Sequence, residues 1–253
     1  MTYSRQGLRV RQPPWGDCSI HASGFHAILI AVSRDVSPEL AMIFDMDGVL
    51  VHSMPMHMES WRQYLKRLGV EVDDLERRMH GKRNPELVRD LLGGHLAEDV
   101  VVEHGAAKER LFRELMLQSD LNEYEIPGVL DFLKQHRNTP KAIGSNAEPP
   151  NIQFITERFG LRPYFDVIVD GSQVERPKPF PDIYLEAAAR LQVKPENCIV
   201  FEDSQTGAEA GLAAGMRVVA VETTPTAFAG VHLEVQDFCD PRLEPWLQAQ
   251  KPV

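Results

Sequence analysis

The sequence predicts an α/β protein, a doubly wound parallel sheet carrying a block of inserted helices, on three observations. An apolar run, Met42 to Phe44, ends in two carboxylates, Asp45 and Asp47, followed by Gly48. From Met54 to Tyr124 apolar residues recur at helical spacing, with no convincing strand. From residue 126 onward strand-length and helix-length patterns alternate, as they do when parallel strands are joined by helical crossovers.

The first run reads as a buried parallel strand, and its carboxyl end is where open α/β sheets hold their ligands. In an extended backbone a spacing of two points Asp45 and Asp47 the same way, toward one bound atom. Gly48 supplies the turn that follows. Taken alone, Asp-x-Asp-Gly also reads as a surface turn. Met54, Met58, Trp61, Leu65 and Leu68 then mark an amphipathic helix that stops at Gly69. Leu87, Val88, Leu91 and Leu92 mark a second, stopped by Gly93-Gly94, and Val100 to Gln118 carries at least one more. After Ile126-Pro127-Gly128 a helix through Leu133 is expected. Strands follow at Lys141 to Ser145, Asp166 to Asp170, Ile199 to Asp203 and Met216 to Val221, separated by helices near 151–159, 181–191 and 206–214. Phe238 and Leu243 to Leu247 read as a last short strand and helix. The expected organisation is an N-terminal extension (residues 1–38), a core (39–53 and 126–253) and a helical cap over the site (54–125).

With 253 residues, 43% of them hydrophobic, the chain has enough apolar surface for one large core plus a smaller module. A formal net charge of −10 and a pI near 5.4 argue against nucleic-acid or anionic-membrane partners. A phosphorylated ligand must then meet a local cationic pocket. Cys18, Cys198 and Cys239 are odd in number, widely spaced and fit no metal pattern, so reduced thiols and a cytoplasmic location are expected. No apolar run approaches the roughly 18 residues of a membrane helix. Ala27 to Val32, preceded by Arg5, Arg9 and Arg11, is too short and too far from the start to read as a signal peptide, and the alternatives for residues 1–38 are an organelle-targeting arm or an ordered edge strand. A monomer is the default expectation.

Three further polar groups fall where strands end or their loops begin. Gly144-Ser145-Asn146 closes one strand with a hydroxyl and an amide. Lys178 lies between two prolines in Arg176-Pro177-Lys178-Pro179, which stiffen its loop. Phe201-Glu202-Asp203-Ser204 closes another strand with two more carboxylates. Singly these read as turn formers, a solvated lysine and a helix cap; together, at one sheet edge, they read as a site.

In identity, order and context, Asp45-Met46-Asp47-Gly48, Ser145-Asn146, Lys178-Pro179 and Glu202-Asp203 resemble the haloacid dehalogenase-like superfamily. The branch they resemble is that of β-phosphoglucomutases and small phosphatases with a helical cap. The resemblance spans about residues 41–225 and implies a Rossmann-like core with strand order 5-4-1-2-3. It further implies that Asp45 is the nucleophile, forming an aspartyl-phosphate, and that Mg²⁺ is held by the Asp45 carboxylate, the Asp47 backbone carbonyl and Asp203, with Glu202 acting through water. Asp47 would be general acid and base, with a raised pKa. Ser145 and the Asn146 amide would donate to phosphate oxygens, and Lys178 would neutralise Asp45 and the phosphate. Chemistry agrees with these residue types, since a transferring phosphoryl group needs an in-line nucleophile ringed by cations and donors. Asp47 also argues against a dehalogenase, which has no leaving oxygen to protonate.

The resemblance extends to the cap unevenly. His57, Trp61 and Lys108 match the mutase pattern and become candidate substrate contacts. His80, Lys82 and Arg83 form a basic loop suited to phosphate, but Asn84 stands where the mutase has arginine, and His52 stands where the branch commonly has aspartate. The expected activity is hydrolysis of a small phosphorylated metabolite, with a phosphosugar first. β-Phosphoglucomutase activity is the alternative with the same chemistry, and a catalytically silent binding protein the alternative of another class.

Overall fold

The computed structural model describes residues 40–79, 82–224, 226–250 and 252. The extension at 1–38, together with Cys18 and His80, lies outside the described residues.

After β1 (Ala41–Phe44) the chain forms α1 (Met54–Arg67), α2 (Leu75–Met79), α3 (Asn84–Leu92) and α4 (Glu98–Gln118). Then come α5 (Val129–Gln135), β2 (Lys141–Ser145), α6 (Pro149–Arg158), β3 (Val167–Asp170), α7 (Asp182–Leu191), β4 (Cys198–Glu202), α8 (Gln205–Ala213), β5 (Arg217–Val221), β6 (Leu233–Val235) and α9 (Leu243–Gln248). All strand pairs are parallel, in the order β3-β2-β1-β4-β5-β6. This is the expected order with one strand added beyond β5. That added strand is Leu233–Val235, not the segment at Phe238. The Phe238 backbone N–H is bonded to the Pro127 carbonyl instead, at 3.1 Å, and its ring packs 5.0 Å from that of Phe132.

Alternation along the strands fills both faces of the sheet. Met42 and Phe44 of β1 join Ile199 and Phe201 of β4 in one cluster, with Phe132 and Phe238. Ala41 and Ile43 join Cys198 and Val200 in the other, with Tyr184 and Ala187. Phe44 and Phe201 are register partners whose rings stack at 4.6 Å. Each fully buried side chain of this size contributes about 1.5–3 kcal/mol. The two central strands are therefore well anchored, and their carboxyl ends, at Asp45 and Glu202, come side by side.

The helices between β1 and α5 have a packing of their own, in which Trp61 and Leu65 of α1 meet Leu87, Val88 and Leu91 of α3 and Val101 of α4. Pro55 in the first turn of α1 suits a helix start, where its missing N–H costs nothing. The five residues of α2 are too few for periodicity to reveal. No helix among the described residues is long and apolar enough to cross a membrane.

Candidate active site

β1 ends at Phe44, and the chain then turns, with Gly48 N–H donating to the Val51 carbonyl at 2.8 Å and Leu50 N–H to that of Met46 at 3.0 Å. The backbone bends at Met46 instead of running extended into Asp47, and the two carboxylates take different partners while lining one cavity. Asp45 accepts from Lys178 Nζ at 2.6 Å. Asp47 accepts from Ser53 Oγ at 2.5 Å and lies 3.5 Å from His57 Nε2. Burial pushes the Asp47 carboxyl up, but the His57 and Ser53 contacts outweigh it and hold it below its ordinary value. This corrects the expectation of a raised pKa: the His57 ring and the Ser53 hydroxyl both favour the charged carboxylate and outweigh the desolvation.

Glu202 organises the other half. Its Oε1 accepts from Lys178 Nζ at 2.7 Å and from the Tyr184 hydroxyl at 2.5 Å. Its Oε2 accepts from the backbone N–H groups of Asp203 and Ser204 and from Ser204 Oγ. Burial alone would lower Lys178, but Asp45 and Glu202 keep its ammonium well above the ordinary value. Burial pushes Asp45 up to about 7 against the pull of Lys178, with Glu202 and Asp47 adding to the rise. Tyr184 is missed by sequence reasoning, because on an amphipathic helix it reads as core.

Two glycines are required by close approach. Gly48 has φ +84°, and a Cβ there would stand 2.0 Å from Asp203 Oδ2. A Cβ on Gly207 would stand 1.7 Å from Glu202 Oε1. Gly207→Ala is therefore expected to lower stability by about 2 kcal/mol or more, as overpacking and displacement of a buried ionic network do. Urea unfolding checks this.

Asp45, Glu202 and Asp203 present carboxylate oxygens that all lie within 4.8 Å of one another. Asp203 is pushed well up, first by burial and then by Glu202 and Asp45. Its carboxylate has no hydrogen bond or ion pair among the described residues. Three buried carboxylates, Asp45, Glu202 and Asp203, share the single Lys178 ammonium among the described residues. That imbalance of hard oxygen donors fits a divalent cation. Ser145 Oγ accepts from Ala147 N–H at 3.1 Å, and Asn146 Oδ1 is buried without a partner among the described residues. Asp45, Asp47, Ser145, Asn146, Lys178 and Glu202 all line one cavity of about 590 Å³.

Among the helical residues singled out by sequence, His57 and Lys108 come together. His57 Nδ1 lies 2.7 Å from Lys108 Nζ, and the His57 ring stacks on Phe112 at 4.0 Å. Lys108, 1% exposed, is also bonded to Glu109 at 2.9 Å. Glu109, missed because a charged helix residue reads as solvated, is buried and accepts from Asn84 and Asn151, each at 2.6 Å. A continuous polar chain therefore runs Asp47, His57, Lys108, Glu109. Trp61 is fully buried, its ring 5.6 Å from Lys108 Nζ. Lys82 and Arg83 reach the cavity rim and are paired with Asp90 and Glu86. His52 Nδ1 is buried without a partner among the described residues, and nothing in the structure explains the residue.

A doubly wound sheet with inserted helices, and with carboxylates and a lysine gathered at its strand ends, is the build of an α/β enzyme. The chain belongs to the haloacid dehalogenase-like hydrolases, whose family model matches residues 40–215. It is 36% identical to the phosphorylated carbohydrates phosphatase of Thermotoga maritima, over 70% of this chain and 82% of that one. It is 32% identical to the β-phosphoglucomutase of Bacillus subtilis, over 72% and 82% respectively. A crystal structure of a family IA, variant 3 hydrolase from Entamoeba histolytica superposes with a TM-score of 0.72 at 26% identity, covering 79% of this chain and 94% of that one.

Proposed function

We propose that this protein is a Mg²⁺-dependent phosphatase of small phosphorylated carbohydrates that works through an aspartyl-phosphate on Asp45. The observation that carries the reading is the buried contact of Lys178 with Asp45, beside the unpartnered carboxylate of Asp203. Lys178 orients the Asp45 carboxylate and offsets the charge of an incoming phosphate. Asp45, Asp203 and the Asp47 backbone carbonyl would hold Mg²⁺, with Glu202 acting on it through water. The cation would supply charge neutralisation between carboxylate and phosphate. Ser145 and the Asn146 amide would donate to phosphate oxygens. Glu202, its oxygens bonded within the protein, keeps Lys178 and the start of α8 in place.

Asp47 serves as acid and then base. It rests ionised between Ser53 and His57, and the arrival of a phosphate dianion raises its proton affinity, as a nearby like charge must. The proton goes to the leaving oxygen, and Asp47 takes one back from the water that attacks the phospho-aspartate. The relatedness to a phosphatase of phosphorylated carbohydrates supports the substrate class.

A phosphate-ester panel with Mg²⁺ tests the reading. Turnover of sugar phosphates at least about 10²-fold above an Asp47→Ala control is expected, the usual size of a general acid–base contribution. A panel with no activity above that control would favour the silent protein. The His57–Lys108 contact favours a second reading, the mutase. Rapid glucose 6-phosphate formation from β-glucose 1-phosphate with catalytic bisphosphate, and little free phosphate, would establish it.

A further inference from the structure

We propose that the inner wall of the substrate cavity selects an ester with a single phosphate and a neutral, hydroxyl-rich remainder, and that Glu148 rejects a second anionic group there. This rests on the phosphatase reading and specifies which esters it takes.

Beside Asp47 the described residues enclose a second cavity of about 410 Å³, sharing Asp47, Lys82, Arg83 and Asn146 with the first. Its inner wall includes Lys108, Glu109, Glu148 and Asn151. A ligand whose phosphate lies over Asp45 would extend its remainder along this wall.

The charges on that wall decide what the remainder is. Lys108, the buried cation, is already paired with Glu109. Glu148 is half-buried and has no ion pair among the described residues. Burial and the neighbouring Glu109 carboxylate push its carboxyl up, with Asn84, Arg113 and Lys108 pulling more weakly the other way. A second phosphate would meet this carboxyl, which no cation touches among the described residues, and like charges at close quarters are strongly disfavoured.

Backbone donors do not compensate. Glu148 caps α6, and a helix start is ordinarily a place for anions. Here Pro149 and Pro150 carry no N–H, and those of Asn151 and Ile152 are bonded to the Glu148 carbonyl at 2.9 and 3.1 Å. Lys82 and Arg83 sit on the rim in exposed pairs with Asp90 and Glu86. Such pairs are weak and leave their cations available to steer a phosphate toward Asp45. What the inner wall presents instead is acceptors. Asn146 Oδ1 is buried with no donor among the described residues, and Glu148 adds carboxyl oxygens. Sugar or polyol hydroxyls donate to such groups without bringing charge.

Calorimetric titration of the full-length Asp45→Asn protein with Mg²⁺ reads this selection without turnover, comparing fructose 1-phosphate with fructose 1,6-bisphosphate. The monophosphate is expected to bind at least about 30-fold more tightly, and a further Glu148→Gln change to shrink that ratio below about 5-fold, as removal of a like charge requires. Glu148→Lys is expected to invert the preference. Glu148 makes no side-chain capping bond, so its replacement removes none, and circular dichroism verifies the fold. A ratio near one, a ratio unmoved by Glu148→Gln, or binding of inorganic phosphate but neither sugar phosphate would overturn the proposal. Wild-type hydrolysis of p-nitrophenyl phosphate separates the two readings. Hydrolysis with a binding ratio near one sinks the selection alone, whereas a ratio as expected without hydrolysis of any ester sinks the phosphatase reading and leaves the selection standing.

Discussion

Asp45→Asn is expected to lower turnover by at least about 10⁴-fold, on the order of 5–6 kcal/mol of lost transition-state stabilisation, because an amide cannot take the phosphoryl group. The fold should survive. Asparagine matches aspartate in shape, Lys178 keeps its bond to Glu202, and the cluster loses one of its mutually repelling carboxylates. A stability change within about 1–2 kcal/mol is expected, the ordinary range for a substitution that creates no cavity. Steady-state hydrolysis together with urea unfolding measures both. Turnover near the wild-type rate would remove Asp45 from the role of nucleophile.

Lys178→Met is expected to be nearly as damaging to activity and far more damaging to the fold. Among the described residues the ammonium is the one cation bonded to both Asp45 and Glu202, and it lies over the Tyr184 ring at 4.8 Å. Removing one member of a buried ionic network leaves the others uncompensated, at a cost of about 3–5 kcal/mol. The loss should depend on pH. Asp45 binds its proton more tightly in the folded protein, where burial pushes its carboxyl up to about 7, than an ordinary carboxylate near 3.8 does. The native state thus holds more protons than the unfolded one across that interval. Stability of the metal-free protein therefore falls as pH rises from about 4 to about 7. Without Lys178 this fall should steepen, and Mg²⁺ should restore part of the stability by binding the folded carboxylates. Denaturant midpoints at pH 5 and pH 7.5, with and without Mg²⁺, test it. A variant as stable as wild type at pH 7.5 without metal would show that the ion pairs contribute little.

Much of the fold is legible in the sequence because the strands are short apolar runs followed at once by polar chemistry. Met42-Ile43-Phe44 before Asp45, and Ile199-Val200-Phe201 before Glu202, declare strand, burial on both faces and ligand end together. The short elements are less legible. Leu75–Met79 is too brief for a period, and Leu233–Val235 is marked as a strand chiefly by its neighbour β5. Phe238, apolar and strand-like in isolation, reads as a short strand because its packing against Phe132 is a long-range contact that local pattern does not show.

The sequence by itself determined the parallel α/β class, the inserted helices and which polar groups stand at strand ends, since these follow from local periodicity and residue type. Only the tertiary structure decided how those groups are paired. It gave Asp47 the Ser53 hydroxyl and the His57 ring, gave Lys178 both Asp45 and Glu202, and put Tyr184, Glu109 and the two asparagines Asn84 and Asn151 into the polar network. The reason is that a hydrogen bond or ion pair depends on ångström distances between residues as far apart in the chain as Asp45 and Lys178. No pattern of neighbours along the chain encodes such distances.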